Sequence, residues 1–247
     1  MAQSLSATDV SVAFEGLRAL SHVTLDVPRE KVTGLIGPNG AGKTTLVNVL
    51  TGFQKPTDGT VSLDGESIVG VPTYKVRQKG IARTFQSGRL FADLSVLDNL
   101  EVTGVGLGLS RREAAKKADE MLAWIGISHL AERTAGGLPY TDERRVAIGR
   151  ALMLEPKYLL LDEPAAGMSA EEANDLAQLI RRIIAEVKCG VLLIEHNIGL
   201  VLTICDHIHV LDSGEVIEVG PPAAIKASER VRHAYMGTQA EAEGAVL

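Results

Sequence analysis

Gly37-Pro38-Asn39-Gly40-Ala41-Gly42-Lys43-Thr44-Thr45 meets every fixed position of the pattern G-x-x-x-x-G-K-[S/T]. An apolar, strand-like run, Val32 to Ile36, leads into it, and a helix-like segment, Thr45 to Leu50, leads out. Glycines let the backbone curl so that successive N–H groups point inward, which makes a concavity for phosphate oxygens. The helix N-terminus behind them adds partial positive charge. Lys43 can reach β- and γ-phosphates, and the Thr44 hydroxyl can bind Mg²⁺. The bland alternative is a Gly-rich turn followed by a chance Lys-Thr, and the strand–loop–helix context argues against it.

The 247 residues allow one large domain or two small ones. Hydrophobic residues at 45% and charged residues at 23% suit a globular chain, and aromatics at 4% leave a mostly aliphatic core. A net charge of −6 argues against nucleic-acid binding, which shows a basic footprint. Cys189 and Cys205 fit no metal or redox spacing and read as reduced core thiols. No apolar run reaches the roughly 18 residues of a membrane span, and Met1-Ala2-Gln3-Ser4 has no signal-like character. The expectation is a cytosolic chain able to dock on a membrane protein.

Outward from the loop, Val10, Val12 and Phe14 alternate with other residues, as do Val23, Leu25 and Val27, and both read as half-buried strands. A further strand, Thr60 to Leu63, ends at the turn Asp64-Gly65. From Gln86 to about Glu155 the character is helical. Ser110-Arg111-Arg112-Glu113 forms a capping box, and Ala114, Ala118, Met121, Leu122 and Ile125 share one face behind it. Gly104-Val105-Gly106-Leu107-Gly108 reads as a pliable connector, and a second helix as Asp142 to Leu154. Strands Tyr158 to Leu161, Val191 to Ile194 and Ile208 to Leu211, with a helix Glu171 to Glu186, give a βαβ rhythm and a parallel sheet. Ser213-Gly214 turns into a last strand, Val216 to Val219, and residues 238–247 read as a frayed tail.

Leu159-Leu160-Leu161-Asp162-Glu163 is an aliphatic strand ending in two carboxylates. Beside a phosphate loop, Asp162 at the strand tip suits the Mg²⁺ shell, and Glu163 suits polarisation of an attacking water. His196 follows another aliphatic strand, at the edge where ligands of open α/β sheets collect. From spacing alone it is either a structural histidine or a donor to the γ-phosphate. Gln86, after Arg83-Thr84-Phe85, is by chemistry alone a solvated loop amide, although an amide there can touch Mg²⁺ or water.

Taken in order, these parts resemble the ATP-binding subunit of ABC transporters over nearly the whole chain. The resemblance implies an α/β P-loop NTPase of ABC type, with a mainly parallel sheet core, an antiparallel β layer and an inserted helical subdomain. One domain would span 1–237, with the core at about 1–85 and 156–237 and the helical part at about 86–155. By the same resemblance Phe14 stacks on adenine. Gly37, Asn39, Gly40, Ala41, Gly42, Lys43, Thr44 and Thr45 hold ATP. Thr44, Gln86 and Asp162 serve Mg²⁺, and Glu163, His196 and Gln86 are catalytic. Pro164 to Ser169 would contact a second subunit, and Ser169 stands where many relatives have Asp or Asn.

Phe14-Glu15-Gly16-Leu17-Arg18-Ala19-Leu20, Arg83-Thr84-Phe85-Gln86 with Arg89-Leu90-Phe91, Ile194-Glu195-His196-Asn197 and Ala234-Tyr235-Met236-Gly237 are similar to the branched-chain amino acid uptake ATPases. Related importers of urea, amides and aromatic acids share much of this pattern. That group implies a head-to-tail pairing with a different ATP-binding subunit, transmembrane permease subunits, an indirect partnership with a solute-binding protein, no nucleic acid, and a place on the cytoplasmic side of a bacterial membrane. The groove between core and helical part, near Gln86 to Asn99, would receive the permease.

One segment departs from the family. The signature Leu-Ser-Gly-Gly-Gln, or Leu-Pro-Tyr-Gly-Asp-Gln in this group, here reads Leu138-Pro139-Tyr140-Thr141-Asp142-Glu143. Thr141 replaces a glycine that allows close backbone approach to phosphate, and Glu143 replaces a neutral amide. The bland reading makes Thr141 a helix N-cap, with two acids stabilising the first turn. Three functions compete: an importer motor, a nucleotide-binding scaffold with one slow composite site, and a soluble ABC ATPase acting on DNA or ribosomes. The third usually carries long coiled-coil insertions or two fused cassettes, which this chain lacks.

Overall fold

The computed structural model describes residues 3–86 and 88–235; the expected tail at 238–247 and the pair Met236-Gly237 lie outside them. Two sheets organise the chain. Strands β1 (Ser4–Phe14) and β2 (Leu17–Pro28) pair antiparallel, and β3 (Val32–Ile36) leads to helix α1 (Lys43–Leu50). Strands β4 (Asp58–Leu63) and β5 (Glu66–Ser67) then complete a four-stranded layer in the order β2-β1-β4-β5. In β2 the buried residues Val23, Leu25 and Val27 alternate with exposed ones, because one face lies on the core.

Helix α2 (Thr73–Gln78) and the short strand β6 (Ile81–Arg83) precede the helical part: α3 (Val96–Gly106), α4 (Arg111–Ile125) and α5 (Tyr140–Leu152). Strand β7 (Tyr158–Asp162), helix α6 (Ala170–Arg182), strand β8 (Gly190–Ile194), helix α7 (Ile198–Ile204), strands β9 (His207–Asp212) and β10 (Glu215–Gly220) and helix α8 (Pro222–Ala227) follow. The second sheet runs β10-β9-β3-β8-β7-β6, parallel except for β10. Helices cover this sheet, so β3 and β8 are buried along their whole length and read as continuous apolar runs. The carboxyl ends of β3, β6, β7 and β8 therefore meet at one edge.

Four expectations need correction. Gly104 to Gly106 are helical, not a connector. Gly104 is buried in α3, where a Cβ would stand 2.9 Å from that of Ala114, so the glycine lets α3 and α4 approach closely. Helix α5 begins at Tyr140, two residues before the expected start. Helix α6 ends at Arg182 and widens into a π-helical turn, Ile183–Val187, before Lys188 turns the chain at φ 56°. The helical character also begins later than Gln86, since α3 starts at Val96 behind the cap of Ser95. Among the described residues, no helix is long and apolar enough to cross a membrane.

Candidate functional site

The loop 37–42 joins β3 in the middle of the parallel sheet to α1. A Cβ on Gly37 would stand 2.0 Å from the Leu211 carbonyl oxygen, so the chain leaves the sheet there with no room for a side chain. Gly42 caps α1 at φ 103°, in the left-handed region. Asn39, Gly40 and Thr44 are exposed, Ala41 is buried, and Thr45 is half-buried. Lys43 is 7% exposed, and its Nζ donates to the Gly37 oxygen at 2.7 Å and the Pro38 oxygen at 2.8 Å. Burial lowers its pKa, and the charges of Glu163 and Asp162 pull it partly back. The ammonium thus closes the loop on itself.

At the tip of β7, Asp162 and Glu163 diverge. Asp162 Oδ2 accepts from Arg83 Nη2 at 2.7 Å. Glu163 has φ 47°, uncommon for a residue with a side chain, and its N–H donates to the Ile194 oxygen at 2.9 Å. This turn sends its carboxylate away from that of Asp162. One Glu163 oxygen lies 2.7 Å from His196 Nε2, and the other accepts from Gln86 Nε2 at 2.8 Å. Residues from β7, the end of β8 and the segment after β6 therefore converge on one carboxylate. Gln86 is exposed, as a solvated amide would be, yet it is held on Glu163.

Two supporting residues escaped sequence reading. Glu195 is 2% exposed: Oε1 accepts from the Ala165 N–H at 2.7 Å, and Oε2 accepts from the His196 N–H at 3.1 Å. Burial pushes its pKa up, and the backbone donors oppose that. It fixes the 164–169 segment relative to His196. Its signal was present in Ile194-Glu195-His196, a charge at the end of a wholly apolar strand. Arg144 on α5 is 3% exposed, donates to the Phe85 oxygen at 2.9 Å and to the Tyr140 hydroxyl, and lies over the Tyr140 ring. It ties α5 to the segment that carries Gln86. Spacing gives no hint of that partner, 59 residues away.

The altered signature differs from its bland reading. The cap of α5 is Pro139, with no side-chain cap bond, so Thr141 is not the N-cap. Its hydroxyl instead donates to Glu172 Oε1 at 2.6 Å, while Glu172 Oε2 accepts the Ser169 N–H at 2.8 Å. One carboxylate of α6 joins the start of α5 to the end of the 164–169 segment. Glu143 leans against Gly88, whose Cβ would meet its Oε1 at 2.3 Å. Phe14 is 44% exposed at the β1–β2 turn. The following residues of β2 pass beside the phosphate loop, with the Ala19 oxygen 2.8 Å from where a Cβ on Gly42 would stand.

A cavity of about 530 Å³ lies between the sheet core and α3 and α5, lined among others by Phe53, Arg83, Phe85, Arg89, Phe91 and Arg150. The hydroxyl of Thr44, a carboxylate oxygen of Asp162 and the amide oxygen of Gln86 are hard-oxygen donors of the kind Mg²⁺ takes, and are the residues that would hold it. Among the described residues, no group of three or more His, Cys, Asp or Glu side chains could hold a metal alone. The set suits an ion that shares ligands with phosphate oxygens.

Comparison with known proteins places the chain in a family. Residues 20–166 match the family described as ABC transporter. The chain is 42% identical to the high-affinity branched-chain amino acid transport ATP-binding protein BraF of Pseudomonas aeruginosa, over 94% of this chain and 97% of that protein. It is 39% identical to LivG of Escherichia coli, which carries the same description, over 94% and 97%. It is also 33% identical to the lipopolysaccharide export system ATP-binding protein LptB of Haemophilus influenzae, over 95% and 98%. Among solved structures, the ADP conformation of an ATP-binding cassette of an ABC transporter superposes with a TM-score of 0.87 at 31% identity, covering 96% of this chain and all of that one.

Proposed function

The chain belongs to the ABC transporter family, and on that premise we propose that it is the ATP-hydrolysing subunit of an importer of branched-chain amino acids. The family's cassettes bind ATP and hydrolyse it to power transport. The observation that carries the catalytic half is the convergence of His196 and Gln86 on Glu163, one residue beyond Asp162 and at the same sheet edge as Lys43. The similarity to BraF and LivG supports the solute class.

In this reading the loop N–H groups and Lys43 receive the β- and γ-phosphates, with Phe14 against the adenine. Lys43 exchanges its two carbonyl partners for phosphate oxygens. Glu163 accepts the proton of the attacking water and so raises its nucleophilicity. His196 hydrogen-bonds the γ-phosphate as negative charge builds on it. Gln86, already on Glu163, positions the water and reports the state of the groove next to it. Thr44, Asp162 and Gln86 would hold Mg²⁺, which would supply neutralisation of the phosphate charge. The core and the helical part act as one cassette, on the cytoplasmic face of the membrane. The groove between them takes a permease segment, and a solute-binding protein delivers the amino acid on the far side.

Two cassettes close head to tail, this chain with a different ATP-binding subunit. The Thr141–Glu172 hydrogen bond favours that asymmetry. It turns the Thr141 hydroxyl towards a carboxylate of its own chain, at a helix start where a partner's γ-phosphate would need uncluttered N–H groups. The test is purification of the complex through this chain and its reconstitution in vesicles with ATP on the cassette side. Leucine, isoleucine or valine uptake that requires ATP and the solute-binding protein is expected. Uptake of another solute class with none of these would overturn the solute assignment, and an intact complex without ATP hydrolysis would overturn the motor.

A further inference from the structure

Arg83 lies at the carboxyl end of β6, between the groove and the phosphate site. Its Nη2 donates to Asp162 Oδ2 at 2.7 Å, and its Nη1 donates to Asn48 Oδ1 on α1, also at 2.7 Å. The Arg83 and Asp162 side chains are only 7% and 13% exposed, so solvent screens this ion pair little. The guanidinium faces the Phe85 ring at 4.7 Å. Arg89 stacks on the same ring at 3.9 Å, and Phe53 meets it edge-on with centroids 6.1 Å apart. Phe53, Phe85 and Arg89 all line the groove. A continuous stack therefore runs from the groove through Phe85 and Arg83 to Asp162.

We propose that Arg83 is a positioning residue that holds Asp162 in its metal-facing orientation and couples that orientation to whatever occupies the groove. The inference rests on the reading of Asp162 as a Mg²⁺ ligand given above. Its physical basis is competition for the Asp162 carboxylate. Lys43 lies close enough to feel the Asp162 charge. Without Arg83, the cations left to feel the Asp162 charge are Arg144 and the ammonium that must grip phosphate. By occupying Oδ2 from the β6 side, Arg83 leaves the other oxygen for the metal shell and keeps Lys43 for the nucleotide. A planar fork is needed, because one group must reach Asn48 and Asp162 together while lying flat against Phe85. A permease segment bearing on Phe85 or Arg89 would then move the fork, and with it the carboxylate.

The test separates metal-dependent from metal-independent nucleotide binding. ATP affinity is measured by titration in EDTA and in Mg²⁺ for the full chain, Arg83→Gln, Arg83→Lys, Phe85→Leu and the Arg83→Gln/Phe85→Leu pair. Groups that orient metal ligands are typically worth about 10- to 100-fold in metal affinity. Arg83→Gln is expected to keep the EDTA affinity and lose the Mg²⁺ gain by that factor. Arg83→Lys should recover part of it, since a cation returns without the fork. Phe85→Leu should lower the gain by a smaller factor, and the pair should show less than the product of the two single losses, because both act through one carboxylate. If Arg83→Gln proves unstable, Arg83→Lys and Phe85→Leu carry the test. An undiminished Mg²⁺ gain in the folded Arg83 variants, or equal losses with and without Mg²⁺, would overturn the proposal. A parent chain with no Mg²⁺ gain would overturn the reading of Asp162 itself.

Discussion

Glu163→Gln is the substitution that bears most directly on the chemistry. It keeps the length and planarity of the side chain and removes its charge and basicity. The carboxylate now meets two nitrogens, His196 Nε2 at 2.7 Å and Gln86 Nε2 at 2.8 Å. An amide offers one oxygen, so it can accept from one of them and must present its NH₂ to the other. Loss of general-base assistance typically costs about 10²–10⁴-fold, which at about 1.36 kcal/mol per tenfold is roughly 2.7–5.4 kcal/mol of barrier. ATP binding should be no weaker, because the lost charge repels the γ-phosphate rather than attracting it. The assay is single-turnover phosphate release from the purified complex, with ATP affinity titrated in parallel. Release at the parent's rate, in a variant that binds ATP normally, would refute Glu163 as the base and leave the His196–Glu163–Gln86 convergence without a catalytic meaning.

Lys43→Ala should weaken ATP binding by roughly 100-fold or more, since two charge-assisted hydrogen bonds to phosphate are worth about 3 kcal/mol at the least; unchanged affinity in a titration would sink the phosphate-loop assignment. The isolated chain should bind Mg-ATP but hydrolyse it far below the roughly 1–10³ s⁻¹ of typical enzymes. Thr141→Gly with Glu143→Gln should raise that rate about 10- to 100-fold, the worth of one recovered charge-assisted bond. Brisk steady-state phosphate release by the unmodified chain alone would show that Thr141 is tolerated. His209 is 6% exposed, and burial together with the neighbouring His207 depresses its pKa from 6.5 to about 4. The folded chain resists a proton that the unfolded chain accepts, so this residue costs nothing above pH 6.5 and destabilises progressively as pH falls towards 4. Between pH 6.5 and 5 the loss should be about 1.5 kcal/mol, and denaturant titrations of the parent and His209→Leu should differ in pH dependence by that amount, with the parent losing stability on acidification and the variant not.

The parts that sequence made legible are those whose residues act locally. Glycine spacing around Lys43 fixes a backbone curl, and apolar runs such as Tyr158–Leu161 and Val191–Ile194 fix buried parallel strands, so loop and sheet could be read without coordinates. The parts that sequence hid depend on contacts between distant segments. Strand β6 has only three residues and no periodicity to show itself. Gly104 carries the composition of a connector, yet packing of α3 on α4 overrides helix propensity there. Arg83, Glu195 and Arg144 are charged residues whose meaning lies in partners that only the fold brings near. Gln86 read by chemistry alone is a loop amide, and the family resemblance, not its spacing, pointed to the site.

If the chain pairs head to tail with a different ATP-binding subunit, as proposed, Thr141 sets the direction in which the asymmetry of that assembly would run. In the proposed reading, this chain's own nucleotide would meet Lys43 on the loop, Asp162 and Glu163 at the tip of β7, and His196, which is within reach of Glu163. The altered element is the start of α5, which in a head-to-tail pair faces the other subunit's nucleotide. There the Thr141 side chain occupies the approach that a glycine leaves open, and the Glu172 carboxylate beside it adds negative charge at the helix end that would receive phosphate. Glu172 is held by Ser169 as well as by Thr141, so one carboxylate ties the start of α5 to the end of the 164–169 segment. The cost therefore falls on ATP bound to the partner, while ATP bound here meets the partner's signature. In such a pair, as proposed, the site built on Lys43 and Glu163 is expected to perform the turnover, and the site closed by Thr141 to retain its nucleotide longer.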